Sequence, residues 1–141
     1  MKTFTDNNKK KWSIELNLYM IQRVFDETQI DLLLPEVYLA QAAMHPLVFA
    51  QILPILLEDQ LKEAGIETQA QVLQAFSGQV YFAAEEAFYK ELMDFFRAAG
   101  RTGSYKRIST FLQEMREADQ RGSGTNGTIV EETGNPTSTE I

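Results

Sequence analysis

The chain has no cysteine, one histidine and one tryptophan among its 141 residues. Without cysteine there is neither disulfide nor thiolate, which excludes a disulfide scaffold and fits a reducing compartment. The single histidine, His45, leaves no second imidazole to complete a usual zinc set. Long apolar runs are missing too. The greasiest stretch, Pro46 to Leu57, is interrupted by Gln51 and Pro54 and falls well short of the ~20 residues that span a bilayer. The opening Met1-Lys2-Thr3-Phe4-Thr5-Asp6 lacks the apolar run of a secretory signal. These absences lead to the expectation of a soluble, cytoplasmic protein with no membrane partner.

What is present is an ordinary globular mixture, 44% hydrophobic and 11% aromatic, enough for one domain with a core. Net charge is −7, unevenly placed: residues 1–23 carry about +3 and residues 24–99 about −9. An acidic body repels phosphate, so nucleic acid is not an expected partner. The short basic run Lys9-Lys10-Lys11 sits where a turn is expected.

Lys2–Thr5 and Lys11–Leu16 read as two short strands around the polar stretch Asp6–Lys10. In the second, Trp12, Ile14 and Leu16 alternate with Ser13 and Glu15, as in a half-buried strand. Asn17 suits an N-cap for a helix over Leu18–Phe25, with Leu18, Ile21, Val24 and Phe25 on one face. Pro35 suits the first turn of a second helix reaching Met44. A third helix is expected from His45-Pro46 to Ala64, kinked at Pro54 and stopped by Gly65. Thr68 and Gln71 match a capping box opening a short helix to Phe76. Gln79–Ala99 is the longest periodic segment, and Ser104–Gln120 forms the last. The fold class is therefore mainly α, a bundle of about five to six helices. A β-hairpin over 1–17 packs on a helical domain over 18–120, and 121–141 form a disordered tail with almost nothing to bury.

No catalytic constellation emerges. His45, beside Pro46, reads as a helix-entry residue. Glu58-Asp59 and Glu85-Glu86 are adjacent and splay by about 100° on a helix, while Glu91 and Asp94 lack the Glu-x-x-His pattern of di-iron bundles. Gly100-Arg101-Thr102-Gly103 has neither the preceding strand nor the Lys-Ser/Thr pair of a phosphate loop. No catalytic, metal or cofactor-binding residue is expected. Aromatic residues, by contrast, are numerous. Core packing is their default role, yet an uncovered apolar strip rimmed by carboxylates would grip a partner's amphipathic helix. Trp12, Phe82, Tyr89, Phe95, Phe96 and Phe111 are the candidate protein-binding residues, and the Trp12 hairpin and Phe-rich helix also admit pairing of two copies.

Lys2-Thr3-Phe4-Thr5-Asp6, then Trp12-Ser13-Ile14-Glu15-Leu16-Asn17, Arg23-Val24 and Ile30-Asp31-Leu32-Leu33 open a longer likeness. Pro46-Leu47-Val48, Glu58-Asp59-Gln60 running to Gly65, Phe76-Ser77-Gly78 and Glu91-Leu92-Met93-Asp94-Phe95-Phe96 continue it. Over roughly residues 2–118 the chain resembles phage and prophage tail assembly chaperones. The resemblance implies a helper, in the host cytoplasm, that coats the tape measure protein and recruits tail tube subunits, in some members through a longer frameshifted product. It carries over no individual site residue. Two other functions compete with it. A structural adaptor of the head–tail connector type would stay in the virion, and a small enzyme would need a deep polar pocket joining His45 to inward-facing carboxylates.

Overall fold

The computed structural model describes residues 1–45 and 47–124, with side chains through residue 118. Two strands, β1 (Lys2–Thr5) and β2 (Lys11–Ile14), precede seven helices among the described residues. These are α1 (Leu18–Thr28), α2 (Pro35–Met44), α3 (Phe49–Leu56), α4 (Glu58–Glu63), α5 (Gln69–Ala75), α6 (Gln79–Ala98) and α7 (Thr102–Gly124). The chain divides into two units, Met1–Ser109 and the part from Thr110 onward. In the second, α7 continues past the expected end at Gln120 to Gly124. The rest of the expected tail, 125–141, lies outside the described residues. No helix among the described residues is long and apolar enough to cross a membrane.

Asp6 builds the hairpin turn. One carboxylate oxygen accepts from the backbone N–H groups of Asn8 and Lys10, both at 2.9 Å, and the other accepts from the Trp12 indole N–H at 2.9 Å. Phe4 pairs with Trp12 across the antiparallel strands, and both pack edge-on against Phe76. A two-stranded sheet is marginal alone, and here helices complete it. The Gln60 side chain acts as a short extra strand: its oxygen accepts from Ser13 N–H and its amide donates to Ser13 C=O, each at 2.9 Å. Glu91, buried on α6, accepts from the Leu16 N–H at 3.0 Å, and its other oxygen lies 3.1 Å from the Met1 amino group. Lys2 meets Asp94 at 2.8 Å. Through these contacts the hairpin lies on α6.

The local signals act as expected at several helix ends. Asn17 caps α1 by accepting from Met20 N–H, Pro35 opens α2, and Thr68 with Gln71 closes a reciprocal capping box on α5. At Gly65, with φ at +76°, a Schellman turn ends α4: Gly65 N–H donates to Lys62 C=O and Ile66 N–H to Leu61 C=O. Gly78 precedes α6 at φ 65° and ψ −136°, a region essentially closed to other residues.

The expected third helix is the main departure. His45 does not start it. The residue before a proline is pushed out of the helical region, and His45, at φ −132° and ψ 86°, instead closes α2 by donating to Gln41 C=O. The helix then begins at Phe49 and breaks at Leu57 into α3 and α4, which raises the helix number to seven. Pro54 has no N–H for the carbonyl of Ala50. The Gln69 side chain from α5 donates to that carbonyl at 3.3 Å, so the proline's missing bond becomes a contact between helices.

An aromatic core unites α2, α3 and α6. Tyr38, Phe49, Phe88 and Tyr89 are fully enclosed, with ring centroids 5.2 Å apart for Phe49–Phe88 and 5.8 Å for Tyr38–Phe88. α1 packs on α3 through Ile21 and Val24. Glu91→Ala leaves the buried Leu16 N–H without an acceptor and should lower unfolding free energy by about 1–3 kcal/mol. Glu91→Gln keeps an acceptor there and should cost less, a ranking that denaturant titration of the two variants checks.

Candidate protein-binding surface

Large apolar side chains remain in water on several helices, most of them on or beside α1 and α2. On α1, Ile21 and Val24 face inward, leaving Leu18 65% exposed, Tyr19 68% and Phe25 39%. Leu18 and Phe25 are seven residues apart, two turns on one side of the helix. Asp26 lies beside them and accepts from Gln22 at 2.8 Å. Arg23 turns the other way and ties α1 to α4, bridging Glu27 at 2.8 Å and Glu58 at 2.7 Å. Leu18 and Phe25 therefore form a short apolar ridge on α1, with the exposed Gln22 and Asp26 between it and Tyr19.

Helix α2 is apolar all round, from Pro35-Glu36-Val37-Tyr38-Leu39-Ala40 to Gln41-Ala42-Ala43-Met44, a composition ordinarily found in fully covered helices. Only Pro35 and Tyr38 are buried. Val37 and Met44, with Leu34 before the helix and Leu47 after it, face solvent. Its one charged residue, Glu36, pairs with Arg107 at 3.1 Å.

Of the six aromatic residues singled out from the sequence, Phe82 is exposed, at 59%, beside Tyr81. It lies six residues before Phe88, about 240° round the helix, and cannot share the inward face. Trp12, Tyr89 and Phe96 are buried and serve packing: Trp12 against Phe76, Tyr89 against Tyr38 and Phe88, and Phe96 against Phe95. Phe95 is half-buried, as is Phe111 in the unit beyond Ser109. The six do not form one surface. The sequence set Leu18 and Phe25 on one face with Ile21 and Val24, whereas the structure leaves Leu18 and Phe25 exposed, and the sequence did not mark Tyr19, Val37 or Met44 as surface. The unbroken apolarity of α2 was the available signal, since a helix with no polar face has no side to give to water.

The polar groups are arranged for structure. The enclosed Tyr38 hydroxyl has no well-aligned hydrogen-bond partner, its polar neighbours being Tyr89 and Glu85. Burial holds the Tyr38 and Tyr89 hydroxyls protonated well above the usual phenol range and pushes Tyr81 up to about 12. Among the described residues, no group of three or more acids and histidine gathers as a metal site. His45 is exposed, and it does not line the open groove between α4 and α5. That groove, about 480 Å³, runs over Pro54, Leu61, Ile66 and Val72, with Glu58 and Lys62 at its rim. Glu58 is held below the usual carboxylate range by its bond to Arg23.

No protein-family model matches the chain, and no curated protein or solved structure matches it either.

Two predictions follow the chemistry of these groups. Tyr38→Phe removes a buried hydroxyl that lacks a good partner, so thermal unfolding should be unchanged or raised, not lowered by the 1 kcal/mol or so that losing a formed hydrogen bond costs. At low pH the sign is set by three carboxylates with depressed pKa: Asp6 by the Trp12 indole, Glu58 by Arg23 and Asp94 by Lys2. Their contribution is present above the unfolded values, 3.8 for the aspartates and 4.5 for Glu58, and is lost as pH falls through the folded ones. Trp12 fluorescence should report loosening of the hairpin below about pH 4 and a flat signal between about pH 5 and 7.

Proposed function

We propose that this chain is a non-enzymatic polypeptide-binding module that works as a phage tail assembly chaperone. In this reading it holds the tape measure protein in the host cytoplasm and helps recruit tail tube subunits. The observation that carries it is the apolar ridge of Leu18 and Phe25 on α1, flanked by Asp26 and left in water at the edge of a well-packed core. Neighbouring exposed apolar side chains of this kind are a common feature of protein-interaction surfaces. An apolar ridge beside an acid suits apolar, basic-flanked helical segments, which dock by i, i+3, i+4 and i+7 anchors. Shallow surfaces of this kind bind and release, as a transient coat requires. The choice of the tape measure protein as partner rests on the resemblance of residues 2–118 to tail assembly chaperones alone.

Co-expression with a tape measure protein tests the reading. The wild-type chain should raise the soluble fraction of that protein several-fold, and Leu18→Glu with Phe25→Glu should abolish the gain while leaving the thermal midpoint near wild type. No gain with the wild-type chain would refute the chaperone role. Retention of the chain in purified particles would favour a structural adaptor of the head–tail connector type instead.

A further inference from the structure

We infer that α2 is a lid over the aromatic core, opening by itself while the rest of Met1–Ser109 stays folded, with the Tyr38 ring as the latch that holds it shut. The inference concerns how α2 is held from inside, so it depends neither on the α1 ridge nor on any partner.

Three features set α2 apart from its neighbours. The first is how little of it is enclosed. From residue 33 to residue 45, Pro35 and Tyr38 are buried, Leu33, Leu39, Gln41 and Ala42 are half-buried, and the rest are exposed. Helix α3, by contrast, buries six of its eight residues. Segments with few buried apolar groups are the first to open.

The second feature is the pair of joints at its ends. The chain is pinned before α2 by the buried Ile30 and Leu32, and after it by the buried Val48 and Phe49. Between these pins and the helix stand two non-helical residues, Leu34 at φ −113° and ψ 77° and His45 at φ −132° and ψ 86°. No neighbouring helix runs through either joint. The ten residues of α2 are also fewer than the roughly 12–15 that an isolated helix needs in water. Once off the core, α2 unwinds, and its amides open together.

The third is the balance at Tyr38. Its ring packs 5.8 Å from Phe88 and 6.2 Å from Tyr89, which makes it the principal attachment. Its hydroxyl, however, is enclosed without a well-aligned partner and regains water when the lid lifts. Outside the core the helix has the Glu36–Arg107 pair, exposed on both sides, and such pairs hold weakly. Lifting α2 uncovers the faces of Phe88 and Tyr89, fully enclosed when it is down. The fold thus keeps a concealed apolar surface besides the one on α1.

Native-state hydrogen exchange of the full chain, at rising but sub-denaturing urea, tests this. Relative to their unprotected rates, the amides of 39–44 should exchange about a hundredfold faster than those of 87–92 on α6, with a shallower dependence on urea. Ala40→Gly, at an exposed position, should hasten α2 exchange roughly fivefold through helix propensity alone. Tyr38→Ala should hasten it roughly tenfold or more. Glu91→Ala, which weakens the hold of the hairpin on α6, should hasten exchange in α6 and leave α2 as it was, because the open form keeps the hairpin in place. Equal protection and equal urea dependence in α2 and α6 would overturn the proposal. So would equal acceleration of both helices by Glu91→Ala, or α2 exchange indifferent to Tyr38→Ala. None of these readouts involves a tape measure protein, so failure of the chaperone reading would leave the lid standing.

Discussion

Helix α6 carries two kinds of contact on which the arrangement of Met1–Ser109 depends. Near its C-terminal end, Glu91 and Asp94 hold the hairpin by polar contacts to Leu16 N–H and Lys2. In its middle, Phe88 and Tyr89 gather Tyr38 of α2 and Phe49 of α3 by ring packing. The buried Glu91 is the more demanding of these. A carboxylate out of water is costly unless it is bonded, and the strand end that supplies the Leu16 N–H cannot be displaced without exposing that cost. The ring contacts fix α2 through a single inward residue, Tyr38. Pro35 is buried at the helix start and Leu39, Gln41 and Ala42 are half-buried, while Val37 and Met44 face solvent.

That asymmetry links fold to function. A helix anchored by one side chain buries a narrow stripe, and when its remaining positions are also apolar the surplus appears as surface. The same happens on α1, where Ile21 and Val24 satisfy α3 while Leu18, Tyr19 and Phe25 do not take part. The polar groups show the opposite pattern. Arg23, Glu58, Lys2, Asp94 and Asp6 are each bound to another part of the fold, so their charge is spent on holding elements together. Apolar groups outward and charged groups cross-linked is the distribution on which the proposed polypeptide-binding role rests.

How much of this could be read from the sequence follows from the range of each interaction. The Asn17 cap, the Pro35 entry, the Thr68–Gln71 box and the Gly65 stop involve residues within five positions, and all were legible. The break at Leu57 was expected at Pro54, three residues earlier. Proline marks the missing bond correctly, but the Gln69 side chain that reaches the Ala50 carbonyl from another helix leaves no local signal. Pairings such as Gln60 with Ser13 and Glu91 with Leu16 leave no periodic trace. The site was less legible than the fold. Aromaticity pointed to Trp12, Tyr89 and Phe96, yet these large rings are enclosed, and the exposed apolar residues of α1 and α2 are Leu18, Tyr19, Phe25, Val37 and Met44. Phe82 could have been separated from the core by its angular offset from Phe88.

The central claim is that the apolar surface left over on α1 and α2 binds polypeptide. Hydrogen exchange of the full chain, with and without a tape measure protein, measures it most directly. Slowed exchange over residues 18–29, with the strands and the Tyr81–Tyr89 stretch of α6 unchanged, is the result this account predicts. Protection confined to the hairpin or to the groove between α4 and α5, with α1 and α2 unaffected, would contradict it.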